Sequence, residues 1–138
     1  MKIILDTNVL LVSLPSHSKY YPIFQALQNK VFDLCLSNEI LTEYEEIISR
    51  SLGLNRTDLK LQELLNLSNV HCIEPFYNWQ LIEADTDDNK FADCAVACGA
   101  DYLVTNDRHY NILNDIPFPP ITIIKAEEFL ELIKSLMQ

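Results

Sequence analysis

Short apolar blocks alternate along the chain with longer stretches whose apolar positions recur at three- and four-residue spacing. The first block, Lys2 to Leu5, is β-branched and apolar and ends at the turn and N-cap residues Asp6-Thr7-Asn8, so it reads as a buried strand. A helical stretch follows at once and breaks at Pro15-Ser16-His17-Ser18. Pro22, suited to a first helical position, opens a second helix with Ile23, Phe24 and Leu27 on its inner face. Phe32 to Leu36 is the second predicted strand. Ser37 or Asn38 then caps an amphipathic helix in which Ile40, Tyr44, Ile47 and Ile48 share one side, and Gly53 ends it. Asn55 or Thr57 starts another helix with Leu61, Leu64 and Leu65 inside, and Asn69 leads into a third strand, Val70 to Ile73. Asp87-Asp88 caps a helix from Phe91 to Cys98, Gly99 follows as its left-handed stop, and the fourth strand runs from Tyr102 to Thr105. Ile121 to Lys125 is the fifth strand, and Ala126 to Met137 forms a last helix with Phe129, Leu130, Ile133 and Leu136 at core spacing.

Five short apolar strands alternating with helices imply an α/β fold, a three-layer α/β/α sandwich around a five-stranded, mainly parallel sheet. The 138 residues show no repeat and no linker long enough to divide them, so residues 1–138 are expected to form one domain. Only two glycines are present, Gly53 and Gly99, which excludes a glycine-rich phosphate cradle of the Rossmann or P-loop kind. The longest apolar runs are far short of the roughly 20 residues that span a bilayer, and the N-terminus lacks the apolar core of a secretory signal. A cytoplasmic protein without a membrane partner is expected. Cys35, Cys72, Cys94 and Cys98 form no C-x2-C pair and read as reduced core thiols.

Charge changes the picture. A formal net charge of −10 argues against passive binding of nucleic acid, unless the carboxylates gather around divalent cations. Ligand sites in open α/β sheets lie at the carboxyl ends of strands, and two acids fall there by position: Asp6 after the first strand and Asp107 after the fourth. Glu43 lies at the edge of the buried stripe of its helix, three residues after Ile40 and four before Ile47. Asp88 stands at a helix start. If the first and fourth strands are neighbours, all four acids converge. Bare anions at that density would take up protons, whereas a hard cation with oxygen ligands resolves the conflict. Three of the acids also have a purely structural role open to them, Asp6 as a helix cap, Asp107 as a turn residue and Glu43 as a rim residue, while Asp88 is expected to cap its helix in either case, since capping and metal binding use different oxygens.

Four segments occur in order: Asp6-Thr7-Asn8-Val9, Ser37-Asn38-Glu39-Ile40-Leu41-Thr42-Glu43-Tyr44, Asp85-x-Asp87-Asp88-Asn89-Lys90-Phe91, and Gly99-Ala100-Asp101-Tyr102-Leu103-Val104-Thr105-Asn106-Asp107. Together they resemble the PIN-domain nucleases, in particular the prokaryotic toxins of toxin–antitoxin systems, from Lys2 to about Phe129. The resemblance implies an endoribonuclease acting on RNA in an acidic pocket that holds one or two Mg²⁺ or Mn²⁺ ions. Carried over by position, the metal-binding and catalytic acids are Asp6, Glu43, Asp88 and Asp107, with Asp93 competing with Asp88. Thr7, Asn8 and Thr105 match supporting polar positions. Lys90 and Arg108 flank the pocket as candidate phosphate contacts, or as solvated surface charges. His109 receives no role. The implied partner is an antitoxin protein whose basic residues reach the pocket, and a homodimer is also compatible. A binding or regulatory module that keeps the fold without turnover is the alternative. An aspartyl-phosphate phosphatase fits poorly, because such enzymes place Asp-x-Asp where this chain has Asp6-Thr7-Asn8.

Overall fold

The computed structural model describes residues 1–75, 78–82 and 88–137, so Asp85 and Asp87 of the third segment lie outside the described residues. The sheet has five strands: β1 (Lys2–Leu5), β2 (Asp33–Leu36), β3 (Val70–Cys72), β4 (Tyr102–Val104) and β5 (Ile123–Ile124), in the order β3-β2-β1-β4-β5. Every pairing is parallel, with Ile3 opposite Leu34 on one side of β1 and Ile4 opposite Leu103 on the other. The α/β architecture is therefore as the apolar blocks predict, and the first and fourth strands are neighbours, the condition on which the convergence of the acids depends. Strand ends differ by one or two residues from the pattern-based bounds, the usual scatter where pairing frays.

The helices are α1 (Thr7–Ser13), α2 (Tyr21–Gln28), α3 (Asn38–Leu52), α4 (Leu54–Leu65), α5 (Asn89–Cys98) and α6 (Ala126–Leu136), with a 3-10 segment at Arg108–Asp115. Ser37 caps α3, its hydroxyl accepting from the Ile40 amide at 3.3 Å. Gly53 ends α3 at φ 80°, and Gly99 ends α5 in the left-handed conformation, where a side chain would be strained. α1 packs on α2 and α3, α2 on α6, and α5 on β1, β2 and β4. Parallel strands require right-handed crossovers, and α5 leads the chain across β1 in the direction opposite to the earlier crossovers. It therefore covers the opposite face of the sheet.

The core is continuous: Ile3, Ile4, Leu5, Leu34, Leu36, Leu103 and Val104 of the strands are fully enclosed by helix residues such as Ile23, Phe24, Ile40, Phe91 and Phe129. Three expectations fail at the margins of this core. Leu65 and Leu136 are exposed, each being the last residue of its helix. Cys72 is exposed on β3, an edge strand on which His71 and Cys72 both remain exposed; Cys35, Cys94 and Cys98 are buried, and all four thiols are free. Among the described residues, no helix is long and apolar enough to cross a membrane.

Candidate active site

Strand order reverses between β1 and β4, and in open parallel sheets the crevice beyond the strand ends at that point receives ligands. The Asp6 amide donates to the Val104 carbonyl at 3.0 Å, which extends the β1–β4 ladder past the strand end. The Asp6 carboxylate makes no capping bond to α1; its Oδ2 instead accepts from Thr105 Oγ1 at 2.7 Å. That same hydroxyl oxygen accepts from the Asp107 amide at 3.0 Å. One buried hydroxyl thus ties the acid beyond β1 to the acid beyond β4. Asp107 also serves its turn: Oδ1 accepts from the His109 amide at 2.9 Å and starts the 3-10 segment.

Glu43, from the middle of α3, accepts from the Thr7 hydroxyl on Oε2 and pairs through Oε1 with Lys90 Nζ at 2.8 Å. Its side chain is 23% exposed and that of Lys90 only 16%, so neither trails into solvent as a rim group. Arg108 and Asn8 are exposed.

Asp88 precedes α5 with helical backbone angles, φ −73° and ψ −17°, and its side chain makes no capping bond, so the cap expected of it is not formed. Asp88, Asp107 and His109 each offer a ligand atom, and these atoms all lie within 4.8 Å of one another. His109, to which the sequence alone assigns no role, thus stands with the acids. The signal lay in its place two residues after Asp107, where a tight helical turn brings Nδ1 to 3.4 Å from Asp107 Oδ1.

Two buried tyrosines fix the walls. Tyr44 donates to the Leu5 carbonyl at 2.6 Å, pinning the end of β1, and Tyr110 donates to the Asp88 carbonyl at 3.5 Å, pinning the approach to α5. The electrostatics show how close the acids stand. Burial pushes the Asp6 carboxyl up, the Thr105 bond opposes this, and the negative fields of Glu43 and Asp107 add to the rise. Burial also pushes the Tyr110 hydroxyl up, and the fields of Asp6, Asp88 and Glu43 all reach it. Asp6 and Glu43 therefore flank the Asp88–Asp107–His109 group without belonging to its 4.8 Å shell.

Asp93 is placed elsewhere. Its Oδ1 accepts from the Trp79 amide at 2.9 Å, while one turn earlier Asn89 clamps Ile82 through both its amide and its carbonyl. Burial raises the Asp93 carboxyl, and nearby Glu39 adds to the shift. These two α5 residues hold the loop 78–82 and line a cavity of about 660 Å³ together with Ser37, Glu39, Glu74 and Lys90. Lys90 thus stands between this cavity and Glu43.

A cluster of carboxylate oxygens with one imidazole suits a divalent cation, and the acids present fit one by the chemistry of their donors. The PIN domain family model matches residues 2–109, and the chain belongs to that family. Among solved structures it is similar to a chain of VapBC2 from Rickettsia felis bound to a DNA fragment from their promoter. The two share 22% identity with a TM-score of 0.63, covering 91% of this chain and 98% of that one, a likeness of fold. No curated protein matches the chain.

Proposed function

We propose that this PIN domain, acting as a single unit over residues 1–138, is an endoribonuclease that hydrolyses RNA phosphodiester bonds with Mg²⁺ or Mn²⁺, one ion or two. Asp6, Glu43, Asp88 and Asp107 are its metal-binding acids. The observation that carries the reading is the Thr105 hydroxyl, which joins Asp6 to Asp107 at the reversal of strand order, with Asp88 and His109 alongside. Asp6 directly follows β1 and Asp107 stands three residues past β4, and the Thr105 hydroxyl at the end of the sheet holds the two together. Thr7 orients Glu43, and the two tyrosines keep the wall backbone from relaxing as charge enters. When bound, the cation supplies an acidified water for attack on phosphorus and positive charge for the developing oxyanions.

The same-fold Rickettsia felis protein is part of VapBC2, which supports reading this chain as the toxin of a toxin–antitoxin pair. The net charge of −10 favours a partner that brings Arg or Lys to the acidic pocket, and the setting is the cytoplasm. The test is incubation of labelled single-stranded RNA with the protein and Mn²⁺. Cleavage should occur, and it should vanish with EDTA and in Asp6→Asn and Asp107→Asn proteins that melt as folded domains. Cleavage that persists in both variants under EDTA contradicts the proposal.

A further inference from the structure

We propose that Lys90 is a built-in counter-ion that the metal must displace: its ammonium holds Glu43 in the metal-free protein and swings into the adjoining acidic cavity when a cation binds. The inference rests on the metal-site reading above and adds a residue to it. Both oxygens of Glu43 are engaged, Oε2 by the neutral Thr7 hydroxyl and Oε1 by the charged Lys90 Nζ at 2.8 Å. A divalent ion can share Glu43 with a hydroxyl. It cannot share it cheaply with an ammonium, because like charges within bonding distance of one carboxylate repel strongly where solvent is largely excluded. The two side chains are 16% and 23% exposed, so water screens the clash poorly.

The exchange has somewhere to go. Lys90 lies in the wall of the 660 Å³ cavity, beside Glu39, Glu74 and Asp93, so a rotation of its four-carbon stem trades one carboxylate neighbour for others. Glu39 is exposed and Asp93 keeps its second oxygen beyond the Trp79 bond, so the displaced ammonium meets negative charge without a new cavity having to open. The arrangement lets the metal-free site tolerate its crowded acids and sets a threshold of metal concentration for loading.

Mn²⁺ affinity measured calorimetrically on the wild type, Lys90→Met, Lys90→Arg and Arg108→Met tests this, with the side-chain methylene signals of Lys90 followed by NMR during Mg²⁺ addition. Lys90→Met should bind Mn²⁺ about tenfold more tightly or better. Lys90→Arg, which keeps the charge, should stay near wild type, and the Lys90 signals should move as the site fills. Arg108 is a cation beside Asp107 with no part in the Glu43 pair, so Arg108→Met should have the smaller effect. Equal or weaker binding by Lys90→Met, equal tightening by Arg108→Met, or Lys90 signals that stay still at saturation overturns the exchange. Failure of the wild type to bind Mn²⁺ at all overturns the metal site itself, which is a different result.

Discussion

Thr105→Val tests how the site is held together. The substitution keeps a β-branched side chain at a position that is 1% exposed and removes only the hydroxyl. Two bonds go: the 2.7 Å donation to the Asp6 carboxylate and the 3.0 Å acceptance from the Asp107 amide. A bond to a charged group contributes about 1.5–3 kcal/mol and a neutral one about 1 kcal/mol, so the loss should be about 2.5–4 kcal/mol near neutral pH. For a chain of this size that lowers Tm by roughly 8–14 °C.

The pH dependence carries the sharper test. Asp6 has a raised carboxyl in the folded state, so its contribution to stability is fully present below the unfolded value of about 4 and declines as pH rises through the folded titration. The Thr105 bond holds that rise in check. Without it the carboxyl climbs further, and the penalty for ionising Asp6 grows. The deficit of the variant should therefore be largest at pH 7–8 and shrink toward pH 4, as Asp6 takes up its proton in both proteins. Urea melts of the metal-free proteins across this range measure it. A deficit under about 0.5 kcal/mol at pH 7.5, or one that does not change with pH, would show that Thr105 does not link the two acids.

Other consequences are as direct. Tyr44→Phe should destabilise by about 1–2 kcal/mol in urea, because it leaves the Leu5 carbonyl without its 2.6 Å donor; an unchanged midpoint would contradict that bond. Asp93→Ala should speed hydrogen exchange at the Trp79 amide and weaken Mn²⁺ only about threefold, through the loss of one acceptor for the displaced Lys90, whereas Asp88→Asn should weaken Mn²⁺ by about tenfold or more. The reverse pattern would make Asp93 the ligand. In the folded protein one thiol, Cys72, should react promptly with a disulfide reagent, since Cys35, Cys94 and Cys98 are enclosed and burial holds the Cys94 thiol up at about 12; rapid reaction of two or more would refute the enclosure of those three.

What could be read in the sequence, and what could not, follows from the range of the interactions. The apolar blocks ending at Leu5 and Val104 give away strands whose ends carry Asp6 and Asp107, because a parallel strand buried on both faces has no polar residue until it leaves the sheet. Helix faces follow from their period except at the last residues, where Leu65 and Leu136 keep the period yet are exposed at the helix ends. The contacts of Lys90 and Asp93 were hidden for another reason. Lys90 meets Glu43 across two helices 47 positions apart in sequence, and Asp93 meets Trp79 across a loop, contacts that no local pattern encodes. For Asp88, the local rule was misleading: a residue at a helix start reads as a cap, yet its backbone is already helical and its side chain stands with Asp107 and His109.

The central claim, hydrolysis of RNA at the Asp6–Glu43–Asp88–Asp107 site, is tested most directly by the chemistry of the cut ends. Hydrolysis by solvent water leaves a linear phosphate, while attack by the neighbouring 2′-hydroxyl leaves a 2′,3′-cyclic phosphate. A single turnover with Mn²⁺ in ¹⁸O-labelled water should place one ¹⁸O in a linear terminal phosphate, with no cyclic product, and Asp6→Asn should yield neither. A cyclic phosphate free of ¹⁸O, or intact RNA beside a protein shown to be loaded with Mn²⁺, would contradict the account.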